Sequence, residues 1–169
     1  MRAYVPITLD ALATTPLQLP TKWDVPAGVV HFVTPQLRAE FPDADEEELE
    51  WEAFNGATDD SFALALQNTG AIPRRAVLSV DIPDRAATPV IGTNNSVASR
   101  GQTSGVSGAE VAALHIDEAD VASVIAAART GGALSKRQQT ALDDAHLLWY
   151  HPAEIPQLLK DVHASPPDG

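Results

Sequence analysis

The residue types best suited to chemistry are concentrated near the C-terminus, in the segment His146–Pro152. The chain has five histidines, and this segment contains two of them together with Trp149 and Tyr150. Such a cluster suggests either an acid–base or metal site or an aromatic strand of the core. In a strand His146 and His151 point to opposite faces, and in a helix they are separated by about 140°. The two histidines therefore cannot hold one metal ion, and the pattern favours a buried core strand, the last of the sheet.

His115 is the second candidate for acid–base chemistry, because it ends a predicted strand two residues before Asp117. A hydrogen-bonded histidine next to a helix cap at Asp117 is the commoner explanation. If a site exists, His115 forms its wall together with polar and aromatic residues from both ends of the chain. The residues of this hypothetical pocket are Arg2, Tyr4, His115, Trp149, His151 and Glu154. His31 and His163 lack any recognisable ligand spacing.

Acidic and glycine-rich clusters give no stronger signal. The run Asp43–Glu48 lacks the spacing and central glycine of a calcium loop, so we interpret it as the start of a helix. Adjacent helix positions diverge by about 100°, so neither Asp59–Asp60 nor Asp143–Asp144 makes a shared-proton pair. The segment Gly101–Gly108 contains no lysine and precedes a strand, unlike a phosphate-binding loop. Since the chain also has no cysteine, we predict no catalytic residue, no cofactor and no metal.

The charge balance restricts the partners. The chain has 23 acidic and 11 basic residues, a formal net charge of −12. Phosphate backbones and anionic lipid repel such a surface, so we predict no nucleic-acid and no membrane binding. The charge favours solubility or a protein partner with a basic surface. Arg74 and Arg75 form an adjacent basic pair just before a predicted strand, and we expect them to neutralise an acidic helix. The first residues lack the apolar core of a signal peptide, which predicts a cytoplasmic protein.

The elements that would position these residues alternate between strands and helices. Asp45 and Glu48 are spaced as a capping box, which predicts a long helix ending between Gln67 and Gly70. Residues 76–82 alternate as a strand, with the even-numbered side chains on one face and the odd-numbered ones, including Ser79, on the other. This strand fits a sheet with one covered face and one partly solvated face.

The order of elements predicts an α+β fold. Strand, helix, strand, strand, helix, strand indicates an antiparallel or mixed sheet covered by helices, and favours a ferredoxin-like (split βαβ) sandwich with its helices on one face. At 169 residues we expect a single domain, over residues 1–163. Residues 84–108 are rich in Gly, Ser, Thr and Asn and lack periodicity, which predicts a flexible polar loop. Residues 164–169 are expected to be a disordered tail.

Several framework segments carry a resemblance to a known family. They are Met1–Thr8, Asp45–Glu50, Arg74–Asp84, Val111–Asp120 and Leu147–Tyr150 with Glu154–Ile155. The chain resembles an uncharacterised family of actinobacterial proteins, with an N-terminal Met-Arg-x-Tyr-Val-Pro-x-Thr strand and a C-terminal Leu-Leu-Trp-Tyr segment. The resemblance spans most of the chain and implies a compact cytoplasmic α+β domain. It implies no activity, because its motifs are strands and caps.

Three functions are compatible with these patterns. The first is a small acidic binding or protein-interaction domain without catalytic activity, which the charge and the missing catalytic signatures favour. The second is a small-molecule enzyme or ligand binder whose pocket lies near the C-terminal strand. The third is self-association through an edge strand. The sequence leaves the substrate, the partner and the oligomeric state open.

Overall fold

The computed structural model describes residues 1–14, 21–90, 97–131 and 133–164. It confirms the predicted α+β class. The strands are β1 (Arg2–Ile7), β2 (Lys22–Val25), β3 (Gly28–His31), β4 (Ala76–Asp81), β5 (Ala87–Pro89), β6 (Arg100–Thr103), β7 (Val106–Ile116) and β8 (Leu148–Tyr150). The helices are α1 (Leu9–Thr14), α2 (Pro35–Glu40), α3 (Glu46–Gln67), α4 (Val121–Arg129), α5 (Lys136–Asp143) and α6 (Ile155–Ala164). Two 3₁₀ turns span Asp84–Ala86 and Pro152–Glu154.

The described strands form one antiparallel sheet in the order β2-β7-β4-β1-β3-β6-β5. Strand β8 pairs with the end of β7, beyond β2 on the same edge. Because β3 and β4 both lie antiparallel to β1 and are connected through α3, they make one split βαβ crossover. The complete ferredoxin-like topology is not confirmed. The sheet has eight strands in the described residues, and helices lie on both of its faces, so the expectation of helices on one face is wrong.

Helices pack on both faces because both faces present apolar residues. On one face, α1 and α6 contribute Leu9, Leu12 and Ile155 to the main core. On the other face, α3 contributes a stripe of mostly small residues, and its C-terminal half packs against α4 and α5. Small side chains let α3 lie close to the sheet. The predicted capping box is also present: Asp45 accepts from the Glu48 amide at 2.9 Å, and Glu48 accepts from the Asp45 amide at 2.9 Å.

The alternation predicted for residues 76–82 is confirmed, but the expected partly solvated face is wrong, because Val77 and Ser79 on that face are buried. Strand β7 departs from simple alternation. In β4, Leu78 and Val80 face the main core, whereas Ser79 faces α3. The partner of Ser79 in β7 is Ala113, and the partner of Val80 is Val111, so one residue of β7 is bulged out between them. A bulge reverses the face on which the following side chains lie.

A buried ion pair connects the start of β4 to the end of β7. Arg75 donates from Nη2 to Asp117 Oδ1 at 2.8 Å, and its backbone amide donates to Asp117 Oδ2 at 2.8 Å. The prediction that Asp117 caps a helix is therefore wrong, and α4 begins after Asp120 instead. Arg75 likewise pairs with this strand-end carboxylate and not with an acidic helix. Local spacing could not indicate either role, because the partners are 42 residues apart.

The prediction that the aromatic segment is a core strand is wrong. Strand β8 spans only three residues, and Trp149 keeps 58% of its surface exposed. Tyr150 alternates inward and packs against the main core. The segment is a short edge strand, because β8 pairs with β7 on one side only in the described chain.

The predicted loop over residues 84–108 is also corrected. Its described residues include a 3₁₀ turn, β5, β6 and the start of β7, so the segment is not an unstructured loop there. Strands of three or four residues are too short to produce a visible alternation, which explains the error. Residues 91–96, and residues 165–169 of the predicted tail, lie outside the described residues.

Replacing Trp23 and Trp149 separately tests this division between core and surface. Trp23 is 1% exposed and belongs to the main core. Trp23→Ala should lower the free energy of unfolding by about 3–5 kcal/mol, because it leaves a large cavity. Trp149→Ala should lower it by less than about 1 kcal/mol, as expected of an exposed side chain. Urea unfolding of both variants measures the difference. Equal losses would contradict the placement of β8.

Candidate functional site

An open groove of about 1700 Å³ runs between α3 and the face of the sheet that carries Ser79. Its floor includes Tyr4 from β1, Ser79 from β4 and His115 from β7. One wall is α3, with Trp51 and Phe54. The other wall includes Trp149 of β8.

Two features of the sheet place the floor and the second wall. The bulge in β7 turns His115 toward α3, on the face opposite Leu114 and Ile116. Strand β8 then pairs Trp149 with His115, so both lie next to each other on the groove side. The sequence of β7 predicts the strand, but the bulge depends on its pairing with β4.

Aromatic rings form a connected row from the floor to the outer edge of α3. The Phe54 ring lies 4.7 Å from the His115 ring and meets Tyr4 edge-on at 5.8 Å. On its other side it stacks with Trp51, with centroids 5.7 Å apart and planes inclined by 25°. Trp51 remains 54% exposed. Large aromatic side chains with this exposure are typical of surfaces that bind a partner or a ligand.

His115 lies on the floor as a neutral imidazole. Its Nε2 atom is 3.0 Å from Ser79 Oγ. Burial, and secondarily the positive charge of Arg2, lower the pKa of His115 to about 4. The pair resembles a nucleophile with its base in distance and in the nitrogen used. With so low a pKa, however, His115 is a weak base near neutral pH, and the pair is better suited to hydrogen bonding than to nucleophile activation.

Tyr4 and Arg2 are held by carboxylates. The Tyr4 hydroxyl lies 3.5 Å from Glu50 Oε2, and burial together with the Glu50 charge raises the pKa of this phenol. Arg2 donates from Nε to Asp81 Oδ1 at 2.8 Å, and this hydrogen bond raises the pKa of the guanidinium. Tyr4 therefore stays neutral and Arg2 stays charged at neutral pH.

The structure brings four of the six predicted pocket residues to this groove: Arg2, Tyr4, His115 and Trp149. The other two, His151 and Glu154, cap the last 3₁₀ turn. His151 Nδ1 accepts from the Ala153 amide at 3.2 Å, and Glu154 accepts from the His151 amide at 2.8 Å. The His151 ring is 6.1 Å from that of Trp149, next to the groove but not in its lining.

Trp51, Phe54 and Ser79 complete the groove and were not indicated by the sequence patterns. The available signal was Trp51 itself, a large aromatic residue among acidic neighbours on a helix whose apolar stripe is small. Ser79 was predicted to face away from the core, but nothing in the spacing indicated its partner His115.

The groove is strongly acidic. Among the described residues, nine carboxylate side chains line it, against two arginines. Both arginines are already paired, Arg2 with Asp81 and Arg75 with Asp117. The lining therefore carries excess negative charge, which attracts cationic groups.

A second cluster lies inside the fold, beyond the groove. His31 Nδ1 is 2.9 Å from Ser99 Oγ, and His31 Nε2 is 2.9 Å from Asp60 Oδ2. Arg100 completes the network with an ion pair to Asp60 at 3.1 Å, and the hydrogen bond from His31 lowers the pKa of Asp60. Ser99 has no solvent exposure, and it contacts Nδ1, whereas a Ser-His-Asp triad uses Nε2. The cluster therefore connects β3, β6 and α3 structurally.

The close approach of α3 to this cluster requires Gly56. A Cβ atom at that position would lie 2.7 Å from both His31 Nδ1 and Ser99 Oγ. Such a distance is shorter than real Cβ contacts, so a side chain would push α3 away from the sheet.

Metal-ligating clusters and membrane-spanning helices are both absent from the residues that the structure describes. No cluster of three or more metal-ligating side chains occurs in these ranges. Among the helices placed by the structure, none is both long and apolar enough to span a membrane.

Comparison with known proteins identifies a family. A family model described as a family of unknown function, DUF6912, matches residues 1–159. The chain belongs to this family. No curated protein and no solved structure matches it. The DUF6912 match confirms the resemblance to an uncharacterised family and includes the whole groove lining. DUF6912 is a family of unknown function, so the groove is the feature of this chain that indicates a function.

The low pKa of His115 predicts a specific dependence of stability on pH. Between about pH 6.5 and the folded pKa of about 4, the unfolded state binds the proton and the folded state does not. Stability is therefore present above this window and is lost as pH falls through it, by on the order of 3 kcal/mol. In His115→Gln this loss should disappear. Only the smaller change of the free energy of unfolding with pH that the acidic residues cause should remain.

Urea unfolding near pH 7 and near pH 4.5 measures this effect. His146→Gln is the matched control, because His146 is exposed. It should lose as much stability between the two pH values as the wild type does. Equal losses of stability between the two pH values in the wild type and His115→Gln would contradict the buried, neutral state of His115.

Proposed function

We propose that this protein is a non-enzymatic interaction domain whose groove binds a basic segment of a protein partner. The observation that carries the proposal is the combination of exposed tryptophans with an acidic lining in a single groove. Each feature alone is common on protein surfaces, but together they match a cationic, partly apolar ligand.

Charge supports a basic partner. The net charge of −12 and the excess of carboxylates in the groove both attract a cationic segment and accelerate its association. The same charge opposes phosphate backbones, which supports the predicted exclusion of nucleic acid.

The size and the aromatic residues support a polypeptide ligand. Small-molecule pockets usually have volumes of about 300–1000 Å³, and this groove is larger, at about 1700 Å³. Trp51 and Trp149 are of the residue type that most often dominates the binding energy of protein interfaces. An extended segment lying between them would bury both rings.

The alternative is a small-molecule enzyme or ligand binder, and the Ser79–His115 pair is the observation that favours it. The low pKa of His115 weakens that function, since a base must take the serine proton. Ser79→Ala separates the two: it would abolish an activity that uses Ser79 as nucleophile, but it would leave peptide binding to the walls nearly unchanged.

We also keep several predictions from the sequence as part of this proposal. These are a single domain over residues 1–163, an actinobacterial origin, a cytoplasmic location and no binding to membranes. Self-association through an edge strand is an alternative use of the surface near β8, and the dimer content in solution tests it.

Isothermal titration calorimetry with a ten-residue peptide of mixed lysine, arginine and serine tests the proposed function. We expect saturable 1:1 binding that weakens as salt is raised, because the attraction is partly electrostatic. Trp51→Ala should weaken binding about tenfold or more, as expected for a large aromatic side chain that contacts the partner. A peptide with glutamate in place of the basic residues should not bind.

Two controls keep the result specific. Glu118→Gln removes one exposed carboxylate outside the groove and should change the affinity less than about twofold. Circular dichroism confirms that Trp51→Ala is folded. Absence of saturable binding, or equal affinities for the wild type and Trp51→Ala, would overturn the proposed function.

A further inference from the structure

We infer that the groove selects arginine over lysine in its partner, through the outer face of Trp51 and its helical neighbours Glu47 and Asn55. This inference rests on the proposed function, and it specifies the chemical group that the groove recognises. It is carried by three residues on one side of α3 and by the partners of the surrounding carboxylates.

The Trp51 ring offers one open aromatic face. Phe54 stacks against it at 25° and covers one side, while 54% of the residue stays exposed. Phe54 is itself supported by Tyr4 and His115, so the Trp51 ring rests on a packed row of rings. A flat, supported and accessible ring is the surface on which a planar guanidinium stacks.

Two residues with hydrogen-bond acceptors are helical neighbours of Trp51. Glu47 is four residues before Trp51 and Asn55 is four residues after it, so each is a neighbour of Trp51 along the helix surface. Both residues line the groove. Within the described part of the chain, neither side chain forms a hydrogen bond or an ion pair.

The neighbouring carboxylates at the start of α3 already have partners within the protein. Glu46 pairs with Arg38 at 2.7 Å, and Glu48 accepts from the Asp45 amide in the capping box. Glu50 lies next to the Tyr4 hydroxyl. Glu47 is thus the carboxylate of this first turn that is left to accept from a ligand.

This arrangement suits a guanidinium better than an ammonium. A guanidinium lying on Trp51 directs its in-plane N–H groups sideways, toward a carboxylate on one side and an amide oxygen on the other. An ammonium has no plane to stack and acts as a strongly hydrated point charge. At equal peptide charge, we expect arginine to bind about five- to tenfold more tightly than lysine.

Two peptides of equal length and charge test this inference, one with arginine and one with lysine at every basic position. Calorimetry on the wild type should give the five- to tenfold preference for the arginine peptide. In Trp51→Leu, which keeps an apolar side chain, and in Glu47→Gln, the preference should fall to about twofold or less. Glu118→Gln, outside the groove, should retain the full preference.

The outcomes separate the inference from the proposed function. Equal binding of the two peptides to the wild type would overturn arginine selection but leave basic-segment binding standing. An arginine preference that survives both Trp51→Leu and Glu47→Gln would also overturn the inference, since it would place recognition elsewhere. Failure of both peptides to bind would overturn the proposed function and the inference together.

Discussion

The buried ion pair between Arg75 and Asp117 is the interaction on which the groove depends most. It joins the start of β4 to the end of β7, and Arg75 Nη2 also donates to the Ala145 carbonyl at 3.1 Å. That carbonyl lies just before β8, so the same guanidinium fixes the position of the wall that carries Trp149. Because both partners are buried, removing either one leaves an uncompensated charge, which typically costs about 3–5 kcal/mol. Desolvation of both charges offsets much of their attraction, so the net stabilisation by the intact pair is small, and its main effect is to place one wall of the groove.

The opposite wall is fixed by different contacts. Helix α3 starts at the capping box of Asp45 and Glu48 and is held against the sheet by small residues. Gly56 allows the helix to approach the buried network of His31 and Ser99. Because one wall is held by a buried ion pair and the other by apolar packing and a buried polar network, the groove is largely formed before a ligand binds. Pre-organisation of this kind reduces the entropic cost of binding.

Local features of the sequence predicted local features of the structure. The capping box of α3, the length of α3 and the alternation of β4 follow from spacing alone, and all three are confirmed. Four of the six residues in the hypothetical pocket line the groove. The features that the sequence did not predict depend on pairing between distant segments. They are the bulge that turns His115, the partner of Asp117, and the edge position that leaves Trp149 exposed. Residue type alone predicts that an aromatic segment is buried. Its actual exposure depends on the neighbouring strands, which the residue type does not show.

If a basic segment lies in the groove between Trp51 and Trp149, the side chains of these two tryptophans report its binding directly. The chain has three tryptophans, and the third, Trp23, is in the core on the other face of the sheet. The indole N–H resonances in a ¹H–¹⁵N correlation spectrum, assigned by single substitution, can be followed during titration with the arginine peptide. We predict that the Trp51 and Trp149 resonances shift with a common saturation curve while that of Trp23 stays in place. Binding without any shift of Trp51 and Trp149 would contradict it.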